Sequence, residues 1–333
     1  MKLIKKLGNL IIGLADIYLL KGHGHFHSEE NRLLSTYYSS KESSGTFLPG
    51  VVMMVDGHTM HGGMSDRLRG IASVYGYCKE HGIPFHIHHV TPFRLEEYLE
   101  PARVNWLTSD QEMTFSRTSA QPVILMLHLI PSKLHRLYLN WLFRHKDWQR
   151  KQYHVYSNTL LYDRDYAANF QALFRPATRL EQAVESECKS IGGAYVAMVF
   201  RFQQLLGDFS EGDFEVLPAD KRKPLIEKCL AKMDEIHKRR ESGTKVLVTS
   251  DSTTFLTAAQ ATFPYVHVIA GKMVHMDYTA NADYQTYMKS FVDMLVLARA
   301  SKIYLLRTGN MYKSGFAYRA AAINNVPYEY IDF

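Results

Sequence analysis

Short apolar segments alternate with amphipathic ones throughout the second half of this chain, and that alternation restricts its fold more than any other feature. The apolar segments are YVAMVFRF (195–202), KVLVTSDS (245–252), YVHVIAG (265–271), KIYLLRTG (302–309) and PYEYIDF (327–333). Apolar residues recur with helical spacing between them. Strands that alternate with helices form a parallel sheet covered on both faces. We therefore predict a doubly wound α/β domain over residues 189–333.

The first half of the chain begins a second α/β domain. The apolar run at 51–55 predicts a strand, and a glycine loop follows it. An amphipathic helix at 65–81 then leads to another strand at 85–90. The aromatic-rich segment after this strand shows no clear period. We predict an N-terminal domain at 49–188, preceded by a linker at 22–48 that is rich in Gly, Ser and charge.

The composition fits a globular protein with two domains. The 333 residues are 46% hydrophobic and 22% charged, which is the usual balance of a folded chain. The net charge of +6 comes without a zinc finger or a basic stripe interleaved with aromatic residues, so we predict no nucleic-acid partner. Cys78, Cys188 and Cys229 are odd in number and far apart. They indicate free thiols in a reducing compartment.

Residues 1–21 can form an amphipathic helix. Leu3 and Leu7 lie on its apolar face, whereas Lys2 and Lys5 lie on the opposite face. The apolar run is too short and too interrupted to span a bilayer. It fits either a helix in the plane of a membrane or a helix docked on the protein's own body. We predict a cytoplasmic protein that contacts the anionic inner leaflet of the membrane through this helix.

The residues that follow the strands are candidates for a site, because doubly wound sheets bind ligands beyond the carboxyl ends of their strands. Arg201 closes the first strand of the C-terminal domain. Its guanidinium can grip two phosphate oxygens, although a surface ion pair would also explain an arginine here. Asp251 lies within Ser250-Asp251-Ser252, whose residue types also cap helices. Gly315 permits close backbone approach in the last loop, and N–H groups at the start of the next helix can bind phosphate.

Metal sites have little support in the sequence. Asp163-Arg164-Asp165 has the D-x-D form of metal-dependent glycosyltransferases, but it does not follow an apolar strand. Two sets of histidines alternate along the chain, one in the predicted linker and one in a predicted strand that lacks Cys or carboxylate partners. These histidines are His23, His25, His27, His86 and His88. We predict no metal site.

Four short segments, in matching order and spacing, resemble the motifs of GDP-fucose-dependent fucosyltransferases. This family includes the α-1,2-, α-1,6- and protein O-fucosyltransferases and the bacterial nodulation fucosyltransferase. The first segment is His61-Gly62-Gly63-Met64-Ser65-Asp66-Arg67-Leu68. The others are AMVFRF with Arg201, VTSDS with Asp251, and FVDMLVLARASKIYLLRTGNMYKSGF with Asp293 and Ser314. The resemblance covers residues 56–333.

The resemblance implies an α/β fold of the GT-B type, in which two Rossmann-like doubly wound domains face a cleft. It also implies an inverting transfer from GDP-β-L-fucose to a glycan acceptor, as in the synthesis of surface polysaccharides, with no metal or other cofactor. Arg201 would contact the β-phosphate, and Asp293 would accept hydrogen bonds from guanine. The other donor-binding residues that it implies are His61, Gly62, Gly63, Arg67, Asp251, Ser314, Gly315 and Phe316. The glycine loop would close over the sugar diphosphate from the N-terminal domain.

The sequence departs from the family at one position. The family motif reads His-x-Arg, whereas Val199 stands two residues before Arg201. This departure leaves open a transferase for another nucleotide sugar, or a catalytically inactive relative that binds nucleotide sugars or glycans. Inversion also requires a base for the acceptor hydroxyl. Asp208 is the predicted base, and Asp66 and Glu112 are the alternatives.

Overall fold

The chain folds into two compact α/β units. The computed structural model describes residue 11 and residues 25–41, 46–125, 132–161, 165–209, 214–277 and 282–333. The units comprise Met1–Arg175 and Pro176–Phe333. Each unit is built on a parallel sheet with helices packed on it. The prediction of two α/β domains, each with a parallel sheet, is therefore confirmed.

The first unit contains a four-stranded parallel sheet. Its elements, up to the boundary, are α1 (His25–Thr36), β1 (Gly50–Val55), α2 (Met64–His81), β2 (Phe85–His89), β3 (Leu99–Pro101), β4 (Ala120–Leu125), α3 (Ser132–Leu142), β5 (Gln152–Ser157), α4 (Tyr166–Leu173) and β6 (Phe174–Pro176). The strand order is β2-β1-β5-β4, and β3 pairs separately with β6. All six residues of β1 are buried, because this strand lies inside the sheet. The β1, α2 and β2 elements are those that the sequence predicts.

The segment predicted as a linker contains the helix α1. Leu33 is fully buried and packs in one cluster with Val52 and Met54 of β1. The carboxylate of Glu30 is also buried and accepts a hydrogen bond of 3.0 Å from the backbone N–H of Ile124 in β4. Residues of the predicted linker therefore complete the core of the first unit. The Gly- and Ser-rich composition gave no sign of these long-range contacts.

Gly70 allows the helix α2 to pack very closely on β5. A Cβ atom at this position would lie 1.9 Å from the carbonyl oxygen of Ser157, which no side chain could tolerate without a backbone shift. The glycine at 70 therefore fixes the distance between the helix and the sheet. The same close packing orients the start of α2, where the glycine motif lies.

The second unit contains a five-stranded parallel sheet. Its elements are α5 (Thr178–Ile191), β7 (Tyr195–Phe200), α6 (Ala219–Lys238), β8 (Lys245–Ser250), α7 (Thr253–Thr262), β9 (Val266–His267), α8 (Tyr284–Leu297), β10 (Lys302–Arg307), α9 (Phe316–Ile323) and β11 (Tyr328–Asp332). The strand order is β11-β10-β7-β8-β9. All the pairs are parallel, so the carboxyl ends of β7, β8 and β10 lie at one edge of the sheet. The alternation in the sequence predicts this unit well.

The unit boundary lies between Arg175 and Pro176, whereas the sequence places it after residue 188. The difference is the helix α5, which packs against α8 of the second unit. Arg299, just after α8, pairs with Glu181 of α5 at 2.5 Å. Helix α5 therefore belongs to the C-terminal unit, and its own amphipathic pattern could not reveal which sheet it covers.

The predicted helix at 1–21 lies outside the described residues, apart from Ile11. Within the described part of the chain, no helix is long and apolar enough to cross a membrane. The three cysteines are free thiols, as the sequence predicts.

Candidate functional site

Arg201 lies immediately after β7 and pairs with Asp251, which lies immediately after β8. One terminal nitrogen of the guanidinium is 3.2 Å from Asp251 Oδ2. The guanidinium carbon lies over the ring of Phe209, 4.7 Å from the ring centre. The Arg201 side chain is 16% exposed, whereas that of Asp251 is fully buried. The ion pair and the aromatic ring thus fix a strong cation at the carboxyl edge of the sheet.

Asp251 also holds the turn that follows β7. Its two carboxylate oxygens accept hydrogen bonds from the backbone N–H groups of Phe202, at 2.9 Å, and Gln203, at 2.6 Å. Gln203 has a positive φ of 54°, so the chain turns sharply there. Burial raises the pKa of Asp251, and Arg201 together with the two N–H groups opposes this shift. Asp251 is therefore a buried support for Arg201 and its turn, and its part in donor binding stays a prediction.

The loop between β10 and α9 lies beside Arg201. The backbone N–H of Tyr312 donates a hydrogen bond of 3.0 Å to the carbonyl oxygen of Arg201. Ser314 Oγ accepts from the backbone N–H of Phe316 at 3.1 Å, so the loop leads directly into α9. A Cβ atom at Gly315 would meet open space. The structure thus brings Arg201, Ser314, Gly315 and Phe316 to one edge of the sheet, as the sequence predicts, and α9 begins at Phe316.

Asp208 caps the start of the helix α7. Its Oδ2 accepts hydrogen bonds from Ser252 Oγ at 2.8 Å and from the backbone N–H of Thr254 at 2.7 Å. Burial opposes ionisation of Asp208, but these hydrogen bonds outweigh it and lower its pKa. Within the described residues, Oδ1 is buried and has no hydrogen-bond partner. A lowered pKa makes the carboxylate a weaker base, so the predicted role of Asp208 as the general base gains no support from this geometry.

Asp293 is fully buried in the helix α8 and forms an ion pair with Lys289. The ammonium nitrogen lies 2.5 Å from each carboxylate oxygen. Burial raises the pKa of Asp293, and Lys289 opposes this shift. The carbon chain of Lys289 passes below the backbone of Gly271, where a Cβ atom would lie 3.2 Å from Lys289 Cδ. Both carboxylate oxygens of Asp293, the residue predicted to read guanine, are therefore paired with the ammonium of Lys289.

Val199 fills the position where the family motif has histidine. Its side chain is 5% exposed, and it is in register with Thr249 on the neighbouring strand β8. In the part of the chain that the structure describes, Thr249 Oγ1 is buried without a hydrogen-bond partner. The apolar side chain of Val199, two residues before Arg201 in the sequence, thus lies beside the unsatisfied hydroxyl group of Thr249.

In the first unit, the predicted glycine motif forms the loop between β1 and α2. Gly62 has a φ of 81°, and Gly63 caps α2. His61 is buried, and its Nε2 accepts a hydrogen bond of 3.1 Å from the backbone N–H of Gly57. Arg67 is 3% exposed, and it donates to the carbonyl oxygens of Gly62, at 2.9 Å, and Thr91, at 2.7 Å. These contacts give His61 and Arg67 a structural role in shaping the loop, and their part in donor binding stays a prediction.

The alternative bases are also held by neighbouring groups. Asp66 pairs with Arg69 at 2.9 Å. Glu112 closes a capping box with Ser109, whose N–H and hydroxyl lower the pKa of Glu112. No group of three His, Cys, Asp or Glu residues in the described ranges could hold a metal ion. Asp163, His23 and the side chains of His25 and His27 lie outside the described residues.

Solved structures with a similar fold give this geometry a context. No protein-family model matches the sequence, and no curated protein matches it significantly. A structure of the α-1,6-fucosyltransferase NodZ soaked with GDP-fucose aligns over 86% of this chain and 95% of NodZ, with 13% identity and a TM-score of 0.53. Another, of NodZ from Bradyrhizobium, aligns over 86% of this chain and 94% of NodZ, also with 13% identity and a TM-score of 0.53. The apo form of POFUT1 aligns over 87% of this chain and 99% of POFUT1, with 12% identity and a TM-score of 0.51.

The chain has the fold of these fucosyltransferases. Both NodZ and POFUT1 are aligned over nearly their whole length, so the likeness includes both α/β units. At this low identity the likeness establishes the GT-B type of fold. The fucosyltransferase-like fold agrees with the resemblance seen in the four sequence motifs.

Sequence reasoning missed three residues that shape the site. They are Lys289, Phe209 and Tyr312. Only Lys289 has a local signal, because residues four apart on a helix face each other and the helix containing Asp293 was predicted. Phe209 and Tyr312 reach Arg201 through the folding of loops, which leaves no periodic pattern.

Proposed function

We propose that the protein is an inverting glycosyltransferase that transfers fucose from GDP-fucose to a glycan acceptor without a metal ion. The observation that carries this proposal is the position of Arg201. Asp251 and Phe209 hold its guanidinium at the carboxyl edge of the sheet, next to the loop that leads into α9. The fucosyltransferase-like fold and the sequence motifs agree with this donor.

Arg201 would stabilise the charge that develops during transfer. When the glycosidic C–O bond breaks, the diphosphate gains negative charge and the sugar becomes like an oxocarbenium ion. A preorganised cation stabilises that diphosphate most strongly, because it need not reorganise during the reaction. Asp251 and the backbone N–H groups of Phe202 and Gln203 fix the arginine before the donor binds. The backbone N–H of Gly315, near Arg201, would bind the same diphosphate. That of Ser314 would have to leave the carbonyl oxygen of Tyr312, to which it donates at 3.0 Å.

The acceptor hydroxyl needs a base in an inverting reaction. We propose Asp208, with Asp66 and Glu112 as the alternatives. A fucosyl group would pass to the acceptor oxygen, whose proton moves to the carboxylate, and GDP would leave. We also propose that Asp293 binds the donor, together with the loop residues His61, Gly62, Gly63 and Arg67.

The test is the rate of GDP release from GDP-fucose across a panel of glycan acceptors. Arg201→Ala should lower turnover about 100-fold to 1000-fold, as expected for the loss of one transition-state donor. Arg201→Lys should recover little, because an ammonium lacks the planar two-point grip of a guanidinium. Arg299→Ala is the matched control, since Arg299 is also ion-paired and partly exposed but follows the end of α8. Near-normal turnover in Arg201→Ala would falsify the proposal, and full activity in EDTA should confirm that no metal is needed.

Val199 favours a second candidate function, a nucleotide-sugar or glycan-binding protein without turnover. The buried valine removes the histidine that the family motif supplies before the arginine. GDP at about 100 times its dissociation constant would stabilise the fold by roughly 2.7 kcal/mol, which a thermal-shift measurement detects. Stabilisation by GDP, without GDP release for any acceptor, would select this second function.

A further inference from the structure

The helix α3 presents an apolar surface to solvent on the side that faces away from the first unit. Its inner face is fixed, because Leu134, Tyr138 and Leu139 are buried. Asn140, beside them, accepts a hydrogen bond of 2.8 Å from Tyr77 of α2. Apolar residues one turn apart on the outer face remain exposed, with Leu137 at 50% and Trp141 at 45%. This exposed pair lies on a helix that is well anchored in the fold.

The same segment carries most of the net positive charge of the chain. Residues 132–151 contain six Lys and Arg residues and one Asp, which gives +5 out of the total of +6. The basic residues are Lys133, Arg136, Arg144, Lys146, Arg150 and Lys151. Arg144 lies over the ring of Trp141, with 5.0 Å from the guanidinium carbon to the ring centre. The exposed apolar pair is thus followed along the chain by exposed basic residues, and we call the whole set the α3 surface (Leu137, Trp141, Arg144, Lys146 and Arg150).

We propose that the α3 surface docks on an anionic lipid bilayer. Exposed tryptophan prefers the boundary between water and hydrocarbon, because its ring is apolar and its N–H needs a polar partner. Arginine and lysine beside the apolar residues attract anionic headgroups within a Debye length of the membrane. The concentration of positive charge selects a lipid surface of negative charge, and not a neutral one. The proposal is independent of the transfer reaction, and it adds a contact separate from residues 1–21.

The test uses the full chain and sedimentation with lipid vesicles. The wild type should bind vesicles of phosphatidylcholine mixed with phosphatidylglycerol, and should bind pure phosphatidylcholine weakly. The double variant Leu137→Asn/Trp141→Ala should lose about tenfold or more in vesicle affinity, because two apolar side chains no longer enter the interface. The control Leu107→Asn/Tyr318→Ala removes two other exposed apolar side chains and should bind as the wild type does. Wild-type affinity in the α3 double variant would overturn the proposal, since residues 1–21 would then account for all binding.

Tryptophan fluorescence provides a second measurement. Of the three tryptophans, Trp106 is buried at 1% exposure, so a blue shift on binding reports on Trp141 and Trp148. Trp141→Phe should keep most of the affinity and lose most of the blue shift. Arg144→Gln/Lys146→Gln/Arg150→Gln should weaken binding and reduce its dependence on salt. If the α3 double variant instead changes self-association in sedimentation velocity and leaves vesicle binding unaltered, the α3 surface is an interface between copies of this chain.

Discussion

The ammonium of Lys289 lies 2.5 Å from both carboxylate oxygens of Asp293, one turn further along the same helix. The pair is almost completely buried, with the side chains 7% and 1% exposed. A carboxylate that reads guanine must accept from its two N–H donors, and here both oxygens are already engaged. If Asp293 contacts the base of the donor, Lys289 must move aside or share the carboxylate, and the ion pair becomes a determinant of nucleotide affinity.

Asp293→Asn should weaken binding of GDP more than binding of UDP. An asparagine amide presents a donor where the carboxylate presents only acceptors, and a guanine N–H cannot pair with a donor. The measurement is the dissociation constant of each nucleotide by calorimetry, for the wild type and the variant. Equal losses for the two nucleotides would remove Asp293 from the guanine site.

Lys289→Met should destabilise the fold by about 3–5 kcal/mol, because it leaves the buried carboxylate of Asp293 without its counter-ion. The double variant Lys289→Met/Asp293→Leu should recover much of this loss, since neither charge remains to be buried. Urea denaturation of the wild type, both single variants and the double variant gives the coupling energy. Strictly additive losses would show that the two side chains do not interact in solution.

Asp251→Asn should lower turnover with a moderate loss of stability. The amide retains one acceptor for the turn at Phe202 and Gln203 but loses the charge that holds Arg201. We expect a destabilisation of about 1–3 kcal/mol from a buried hydrogen bond that is lost. The GDP-release rate and the urea midpoint are measured together, with Asp332→Asn as the control for an exposed carboxylate paired with the strand-end arginine Arg307. Unchanged turnover in Asp251→Asn would show that Arg201 needs no positioning.

The protein should lose stability as the pH falls below about 6.5, the usual pKa of histidine. Burial lowers the pKa of His154 to about 3, and the nearby His88 adds to this shift. The folded His154 stays neutral while the unfolded chain takes up a proton. The unfolding free energy therefore falls by about 1.4 kcal/mol per pH unit for this histidine as the pH decreases through the window from about 6.5 to about 3.

The check on this pH dependence is the variant His154→Gln. In the folded state His154 Nδ1 accepts from the hydroxyl of Tyr38 at 2.6 Å, and a glutamine oxygen can also accept that bond. The variant should thus flatten the decline of the urea midpoint on acidification by about one proton. An identical slope in the wild type and the variant would assign the acid sensitivity to other buried histidines, such as His135, whose pKa burial lowers to about 4.

The sequence by itself determined the elements that depend on local periodicity. The strands β1, β7, β8 and β10 and the helices between them follow from runs of apolar residues, because a strand or helix buried on one side repeats that side at a fixed spacing. Placing Arg201 and the loop that contains Ser314 at the carboxyl ends of β7 and β10 required nothing further, since parallel strands present these ends at one edge.

The tertiary structure decided which partners these side chains meet. Asp208 caps a helix that starts 45 positions later in the chain, Asp251 supports the turn after a different strand, and α1 completes the core from within the predicted linker. These contacts join residues that are far apart in sequence, and the separation leaves no periodic trace in either segment. The Lys289–Asp293 pair is the exception, because its spacing of one helical turn was readable from the sequence. Only the fold, however, showed that this pair is buried, and burial is the reason that losing one of its charges would destabilise the protein.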